Sequence, residues 1–165
     1  MATVISGDTG IDKVTDGAAM PAGSVIQMIE SNTPMKSGTW TDNNLHNIIS
    51  ITCTPKSSSS TLHIVANFSA QLYGNGNTAN MHWTLALYES STLLYNMNSL
   101  HSNNHYLNTF HRTQDHRIGA IVGNTSTNAR SFYLKAQKTE ASSNGRLNIN
   151  SGYGSLSIIV TEVEA

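Results

Sequence analysis

One stretch of the sequence constrains the fold more than any other, because apolar residues occupy every second position in it. From Thr61 to Tyr73 the apolar positions are Leu62, Ile64, Ala66, Phe68, Ala70 and Leu72. A period of two is the spacing of side chains along one face of a β-strand. The stretch therefore predicts a long strand that buries one of its faces in a core.

Shorter stretches of the same character recur along the chain. They predict strands at 25–29, 48–53, 81–88, 93–97, 118–122, 132–136, 147–150 and 156–163. Segments rich in Gly, Asn, Ser and Pro separate them, and no segment shows a helical period. Many short strands with short connections predict an all-β chain, an antiparallel β-sandwich of the jelly-roll type.

The polarity of the chain comes from uncharged side chains. Ser, Thr and Asn account for 57 of 165 residues, whereas Asp, Glu, Lys and Arg make up 12% and the net charge is −1. Without a cluster of Lys or Arg, nucleic acid and anionic membranes are not expected partners. No apolar run is long enough to span a bilayer, and we expect synthesis in a cytoplasm. The single cysteine, Cys53, is predicted to be a small buried residue in a strand.

The second face of the predicted strands carries few charges and several apolar or aromatic residues. In a free monomer such a face would be an exposed apolar patch, and in a permanent oligomer other copies cover it. We therefore predict a homo-oligomer. The predicted subunit-interface residues are His63, Val65, Tyr73, Tyr88 and Tyr133.

The first 23 residues show neither a strand period nor a helix period. They contain three of the five aspartates of the chain, and glycines recur through them. Glycine and proline keep such a segment extended or turned, while its apolar residues are able to dock on another protein. The chain is thus divided into an arm, 1–23, and a β-sandwich knob, 24–165.

Both ends of the chain resemble bacteriophage tail-fibre-like virion proteins. The motif at the amino end is ISGDTGIDKVTDG, at 5–17, followed by PAGSVIQ at 21–27, and the carboxyl end carries GSLSIIVTEV at 154–163. The resemblance implies a homotrimer with a knob similar to the C1q and tumour-necrosis-factor jelly rolls. It also implies that the arm attaches the knob to other virion proteins. The residues expected to make this attachment are Ile5, Gly7, Asp8, Gly10, Ile11 and Val14. The stalk that many fibres carry is absent from this sequence.

No enzymatic motif is present, and we expect neither catalysis nor a cofactor. Glycoside hydrolysis needs a pair of carboxylates, and the few beyond the arm show no recognisable spacing. Four of seven histidines lie between His101 and His116, but in a segment of loop and strand that spacing does not define a metal site. The sequence leaves open one alternative, in which His63 or His82 meets its symmetry mates on a threefold axis.

Recognition of a host surface would fall to loops that pair an aromatic residue with amide groups. Two predicted loops have this character, around 73–77 and 103–106. The candidate receptor-binding residues are Tyr73, Asn75, Asn77, Asn103, Asn104, His105 and Tyr106.

The leading hypothesis is a trimeric adhesin of the virion, made in the host cytoplasm, which binds a host surface glycan or protein. A capsid decoration or cement protein that stabilises the shell is the alternative, since it would use the same arm and the same trimer. A cellular C1q-like or lectin module is a third and weaker hypothesis.

Overall fold

A computed structural model describes residues 22–32, 39–40, 43–75, 79–104, 109–141, 146–149 and 156–165. These residues form ten strands joined by loops. In chain order the strands are β1 (Val25–Ser31), β2 (Thr39–Trp40), β3 (Leu45–Cys53), β4 (Thr61–Asn75), β5 (Ala79–Glu89), β6 (Thr92–Asn104), β7 (Thr109–Gly123), β8 (Arg130–Ala141), β9 (Arg146–Ile149) and β10 (Leu156–Val163).

The strands form two antiparallel sheets that pack face to face. The large sheet has six strands, with β4 at its centre. One edge of β4 pairs with β7 along its whole length, and the other pairs first with β10 and then with β9. The outer strands on that side are β1, which pairs with β10, and β2, which pairs with β9. The small sheet has the order β3-β8-β5-β6.

This strand order is that of a jelly roll. Leaving aside the short strands β2 and β9, the large sheet reads β1-β10-β4-β7 and the small sheet β3-β8-β5-β6. Consecutive strands therefore lie mostly in opposite sheets, as the two Greek keys of a jelly roll require. The prediction of an all-β antiparallel sandwich is confirmed.

Alternating residues of both sheets fill the space between them. On β4 the inward positions are those predicted from the period of two, and Leu62, Ile64 and Ala66 are completely buried. Trp83, Leu85 and Leu87 on β5 and Phe132 and Leu134 on β8 face them from the small sheet. Burial of these apolar surfaces is the main contribution that holds the two sheets together.

Strand positions agree with the sequence predictions better than strand lengths do. The bounds of β10 are those predicted, whereas β6 and β7 are longer than predicted and extend into the segment rich in Asn, Ser and His. The ladders that pair β6 with β5 and β7 with β4 satisfy the backbone there, which overrides the weak strand propensity of those residues. The two-residue strand β2 was not predicted, since no periodic signal exists over two residues.

One end of the sandwich, here called the base, is closed by a buried carboxylate. Glu162 on β10 points inward and is completely buried. Its oxygens accept hydrogen bonds from Lys56 N and Ser57 N, both at 2.9 Å, from Ser60 Oγ at 2.7 Å and from Gln27 Nε2 at 2.6 Å. Burial alone would raise the pKa of Glu162, but these bonds together lower it below its usual value. The carboxylate thereby fixes the β3–β4 loop against β10 and β1.

The base also carries a bidentate ion pair between β5 and β8, two neighbouring strands of the small sheet. Arg130 on β8 binds both carboxylate oxygens of Glu89, at 2.6 and 2.7 Å. A third guanidinium nitrogen binds Gly123 O at 2.9 Å and Asn124 Oδ1 at 3.1 Å. The hydrogen bonds from Arg130 lower the pKa of Glu89, because they favour its charged form. The Asn124 amide donates to Ser57 O, so the ion pair and the Glu162 cluster form one continuous network.

Candidate functional site

The outward side of the large sheet carries exposed apolar side chains and few charges. Its strands align in rows that run across the sheet, and one row consists of Met28, Thr161, His63 and Ile121. The row on one side of it is Val25, Val163, Thr61 and Gly123, and the row on the other side is Glu30, Ile159, Val65 and Gly119. We call the surface formed by these three rows the apolar face.

Large apolar side chains stand exposed at both margins of the apolar face. Met28 on β1 is 68% exposed, Val25 is 57% exposed and Ile121 on β7 is 66% exposed. Glycines at 119 and 123 flank Ile121 on the same side of β7, so no side chain stands next to that of Ile121 along the strand on this side. Within the three rows, Glu30 is the single residue with a formal charge. A nearly uncharged surface with large exposed apolar side chains is typical of a protein–protein contact.

The predicted interface residues do not all lie on this face. His63 and Val65 do, and the His63 Nε2 atom lies 3.4 Å from Thr61 Oγ1. Tyr88 and Tyr133 lie on the outward side of the small sheet, across the sandwich, where they are direct cross-strand partners. Lys135 Nζ lies over both rings, 4.5 Å from the Tyr88 centroid and 5.2 Å from that of Tyr133. For Tyr73 the structure describes only the backbone, within β4.

A pocket opens on the large sheet next to the apolar face, at the β7 margin. Its volume is about 430 Å³, and its lining is Asn67, Phe68, Asp115, His116 and Arg117. Asn67 and Arg117 are cross-strand partners, and the Asn67 amide donates to Ser157 Oγ at 3.4 Å. Asp115 accepts a hydrogen bond from Ser69 Oγ. Arg117 is exposed and has no bonding partner among the described residues. The sequence does not indicate this pocket, because Asn67 and Phe68 meet 115–117 only across the β4–β7 ladder.

His116 belongs to the inner side of the same ladder. Its ring stacks on Phe68 with a centroid separation of 5.3 Å, and its Nε2 atom is buried without a partner among the described residues. Burial lowers the pKa of His116, and the nearby Asp115 only partly opposes this shift. In the described part of the chain no three His, Cys, Asp or Glu side chains are grouped so as to hold a metal ion.

The described parts of the two segments predicted to bind a receptor are strand ends at the end of the sandwich opposite the base, here called the far end. Asn75 ends β4 and pairs with Thr109, while Asn104 ends β6 and pairs with Ala79. The β4–β5 and β6–β7 connections therefore both cross between the sheets at this end. Asn75, Asn103 and Asn104 lie in strands rather than in loops as predicted, because ladder pairing continues to the strand ends, and Tyr73 lies within β4. Asn77, His105 and Tyr106 lie outside the described residues.

The arm meets the sandwich at the base. Gly23 N donates to Glu164 O at 2.8 Å and Glu164 N donates to Ser24 O at 2.9 Å, so the first described residues lie beside the end of β10. The predicted attachment residues Ile5, Gly7, Asp8, Gly10, Ile11 and Val14 are outside the described residues. In the part of the chain that is described, no helix is long and apolar enough to cross a membrane.

No protein-family model matches the chain, and no curated protein matches it. Among solved structures it is similar to dimeric latent PorU from Porphyromonas gingivalis, at 14% sequence identity and a TM-score of 0.43 over 91% of this chain and 14% of that one. It is also similar to a structure of the infectious bursal disease virus Gt strain, at 13% identity and a TM-score of 0.28 over 87% of this chain and 36% of that one. At these TM-scores neither similarity indicates what this chain binds or assembles with.

Proposed function

We propose that this chain is a non-enzymatic structural protein of a bacteriophage virion, a homotrimeric adhesin whose copies pack together through the apolar face. The observation that carries the proposal is that face itself. Three large apolar side chains on it are more than half exposed, and Glu30 is the one formal charge in its three rows. Covering such a surface with a second copy removes apolar area from water, which favours association.

The opposite placement of the arm and the predicted recognition segments supports an adhesin. The arm joins at the base, beside Thr61, whereas β4 ends at Asn75, at the far end. These points are separated by the length of β4, which has 15 residues and spans roughly 45 Å. A knob held at its base would present its far end to a host surface. Three copies would present three sites, so weak individual binding would be reinforced by avidity.

The resemblance of the two chain ends to tail-fibre-like proteins supports the location in a virion. The jelly-roll strand order is compatible with the C1q-like and tumour-necrosis-factor-like knob that the resemblance implies. The cement protein uses the same trimer, and it differs from the adhesin in where the far end points.

The self-association is tested by placing a charge on the apolar face. We expect Met28→Glu and Ile121→Glu each to convert the oligomer to a monomer in size-exclusion chromatography with light scattering, because a buried unpaired carboxylate is costly. Leu93→Glu is the matched control, since Leu93 is an exposed apolar residue, at 47%, on the small sheet. A wild-type chain that is monomeric at about 100 µM would refute the proposal.

The adhesin is separated from the cement protein by imaging the particle that carries this chain. Cryo-electron microscopy that finds the knob on the tail or at fibre tips, with its far end outward, agrees with the adhesin. Copies that tile the shell, with the far end against shell subunits, would replace it by the cement protein. A glycan array probed with the wild type and with Tyr73→Ala then tests the far end directly, and equal glycan binding by both would count against the adhesin.

A further inference from the structure

Two unpaired charges of opposite sign lie at opposite margins of the large sheet, on the side that carries the apolar face. Glu30 is exposed on β1, and Arg117 is exposed on β7. Both strands are outermost in the order β1-β10-β4-β7. Neither side chain has a hydrogen bond or an ion pair within the described part of the chain. In the row of Glu30, the other three residues, Ile159, Val65 and Gly119, are uncharged.

Arg117 is the cation of the pocket at the β7 margin, and it has no hydrogen bond or ion pair to any residue that the structure describes. The other charged group of that pocket, Asp115, lies two residues away on β7 and accepts a hydrogen bond from Ser69 Oγ. The Asn67 amide lies directly across the ladder from Arg117. A guanidinium presents its donors as a planar fork, which matches a carboxylate with two parallel hydrogen bonds. The exposed Arg117 guanidinium at this pocket is therefore suited to pair with a carboxylate from outside the subunit.

We infer that this carboxylate is Glu30 of a second copy of the chain. The pocket at the β7 margin of one copy takes Glu30 from the β1 margin of the next, and each subunit contact contains one Arg117–Glu30 pair. Because every copy offers both partners at opposite margins, the contact is head-to-tail, and in the proposed trimer it repeats three times around the ring. This inference rests on the proposed self-association, and it specifies which margins meet and which charges hold them in register.

The ladder register supports the fit. Glu30 lies in the row of Val65 and Gly119, and Arg117 lies one row further along β7, beside Asn67. Adjacent rows on one side of a sheet are about 7 Å apart, a distance that two long side chains bridge together. With the margins matched in this way, Met28 of one copy approaches Ile121 of the next and the glycines that flank it on β7. Apolar contact and ion pair then form in the same arrangement.

The test is a charge swap measured by sedimentation equilibrium of the full chain. We expect Glu30→Arg and Arg117→Glu each to weaken self-association roughly tenfold, because each replaces an attraction by a repulsion at every contact. The double variant restores the pair with reversed polarity and should return the dissociation constant to within about threefold of the wild type. Glu164→Arg, a charge reversal at the base, is the control and should leave the constant unchanged.

A salt titration and a check of folding accompany the charge swap. Raising the salt from about 0.05 M to about 0.5 M should weaken the wild type and narrow its difference from the single variants, since partly exposed charges are screened. Circular dichroism at matched concentration checks that all variants are folded. Single variants that associate like the wild type, or a double variant no better than the singles, would overturn the inference and leave the proposed oligomer intact. A monomeric wild type would overturn both.

Discussion

Removal of the charge of Glu162 should destabilise the fold by about 2–3 kcal/mol, because four donors converge on its buried carboxylate. In Glu162→Gln the side chain keeps its shape but retains one oxygen, which accepts from about two donors. The remaining two donors then face an amide that also donates. Two lost bonds of about 1–1.5 kcal/mol each account for the estimate.

The measurement is urea unfolding at pH 7, followed by circular dichroism at a single protein concentration, since self-association would also affect the midpoint. We expect a lower midpoint with an unchanged slope for Glu162→Gln. Glu164→Gln is the matched control, because Glu164 accepts one exposed hydrogen bond, from Ser59 Oγ at 3.3 Å. Its effect should stay below about 0.5 kcal/mol.

The pH dependence makes this prediction specific to the charge. The folded pKa of Glu162 is lowered from 4.5, so its stabilising effect is present above that value and is lost as the pH falls through the lowered folded value. Glutamine does not titrate, and the gap between wild type and variant should therefore narrow on acidification. A variant as stable as the wild type at pH 7, or a gap that stays constant down to pH of about 3, would refute the reasoning.

Three further predictions concern single sites. Burial, reinforced by the charge of Glu162, raises the pKa of the Cys53 thiol. We therefore expect a thiol reagent to modify Cys53 at a rate limited by unfolding, and rapid modification of the native protein would contradict this. The pKa of His116 in the folded chain lies below 6.5, so the unfolded chain binds a proton at His116 more readily than the folded chain does. The free energy of unfolding should therefore fall as the pH drops below 6.5, and in His116→Phe this fall should be smaller. A Cβ at Gly119 would lie 3.0 Å from the Ile64 carbonyl oxygen, whereas one at Gly123 meets nothing within 4 Å. In urea unfolding, Gly119→Ala should therefore have a free energy of unfolding about 1 kcal/mol lower than that of Gly123→Ala. Equal midpoints for the two variants would show that the β4–β7 ladder relaxes freely.

The predicted strand positions depended on local pattern alone. The alternation in β4 specifies which side chains face inward whatever the neighbouring strands are, and β10 follows the same rule to its last residue. The same rule places Glu162 on the inner side, two residues after Val160, so a signal for a buried carboxylate was present. Its donors come from Gln27 and from the β3–β4 loop, which no local pattern connects to β10.

The subunit-interface residues show the same limit. His63, Val65, Tyr88 and Tyr133 were grouped because all occupy outward strand positions, and alternation does not tell which sheet a strand joins. Only the strand order puts the two tyrosines on the opposite side of the sandwich from His63 and Val65. Glu30 and Arg117 are 87 positions apart in the sequence. They share one side because β10 and β4 lie between β1 and β7.

By itself, the sequence determined the strand class, the inward residues and the low charge of the outward ones, since these follow from side-chain period and composition. The tertiary structure decided which elements are neighbours: the margins that carry Glu30 and Arg117, the pocket across the β4–β7 ladder, and the far end where β4, β5, β6 and β7 begin or end. The physical reason is that strand pairing is non-local. A backbone ladder forms between any two strands of compatible length, and the choice is made by packing of the whole core.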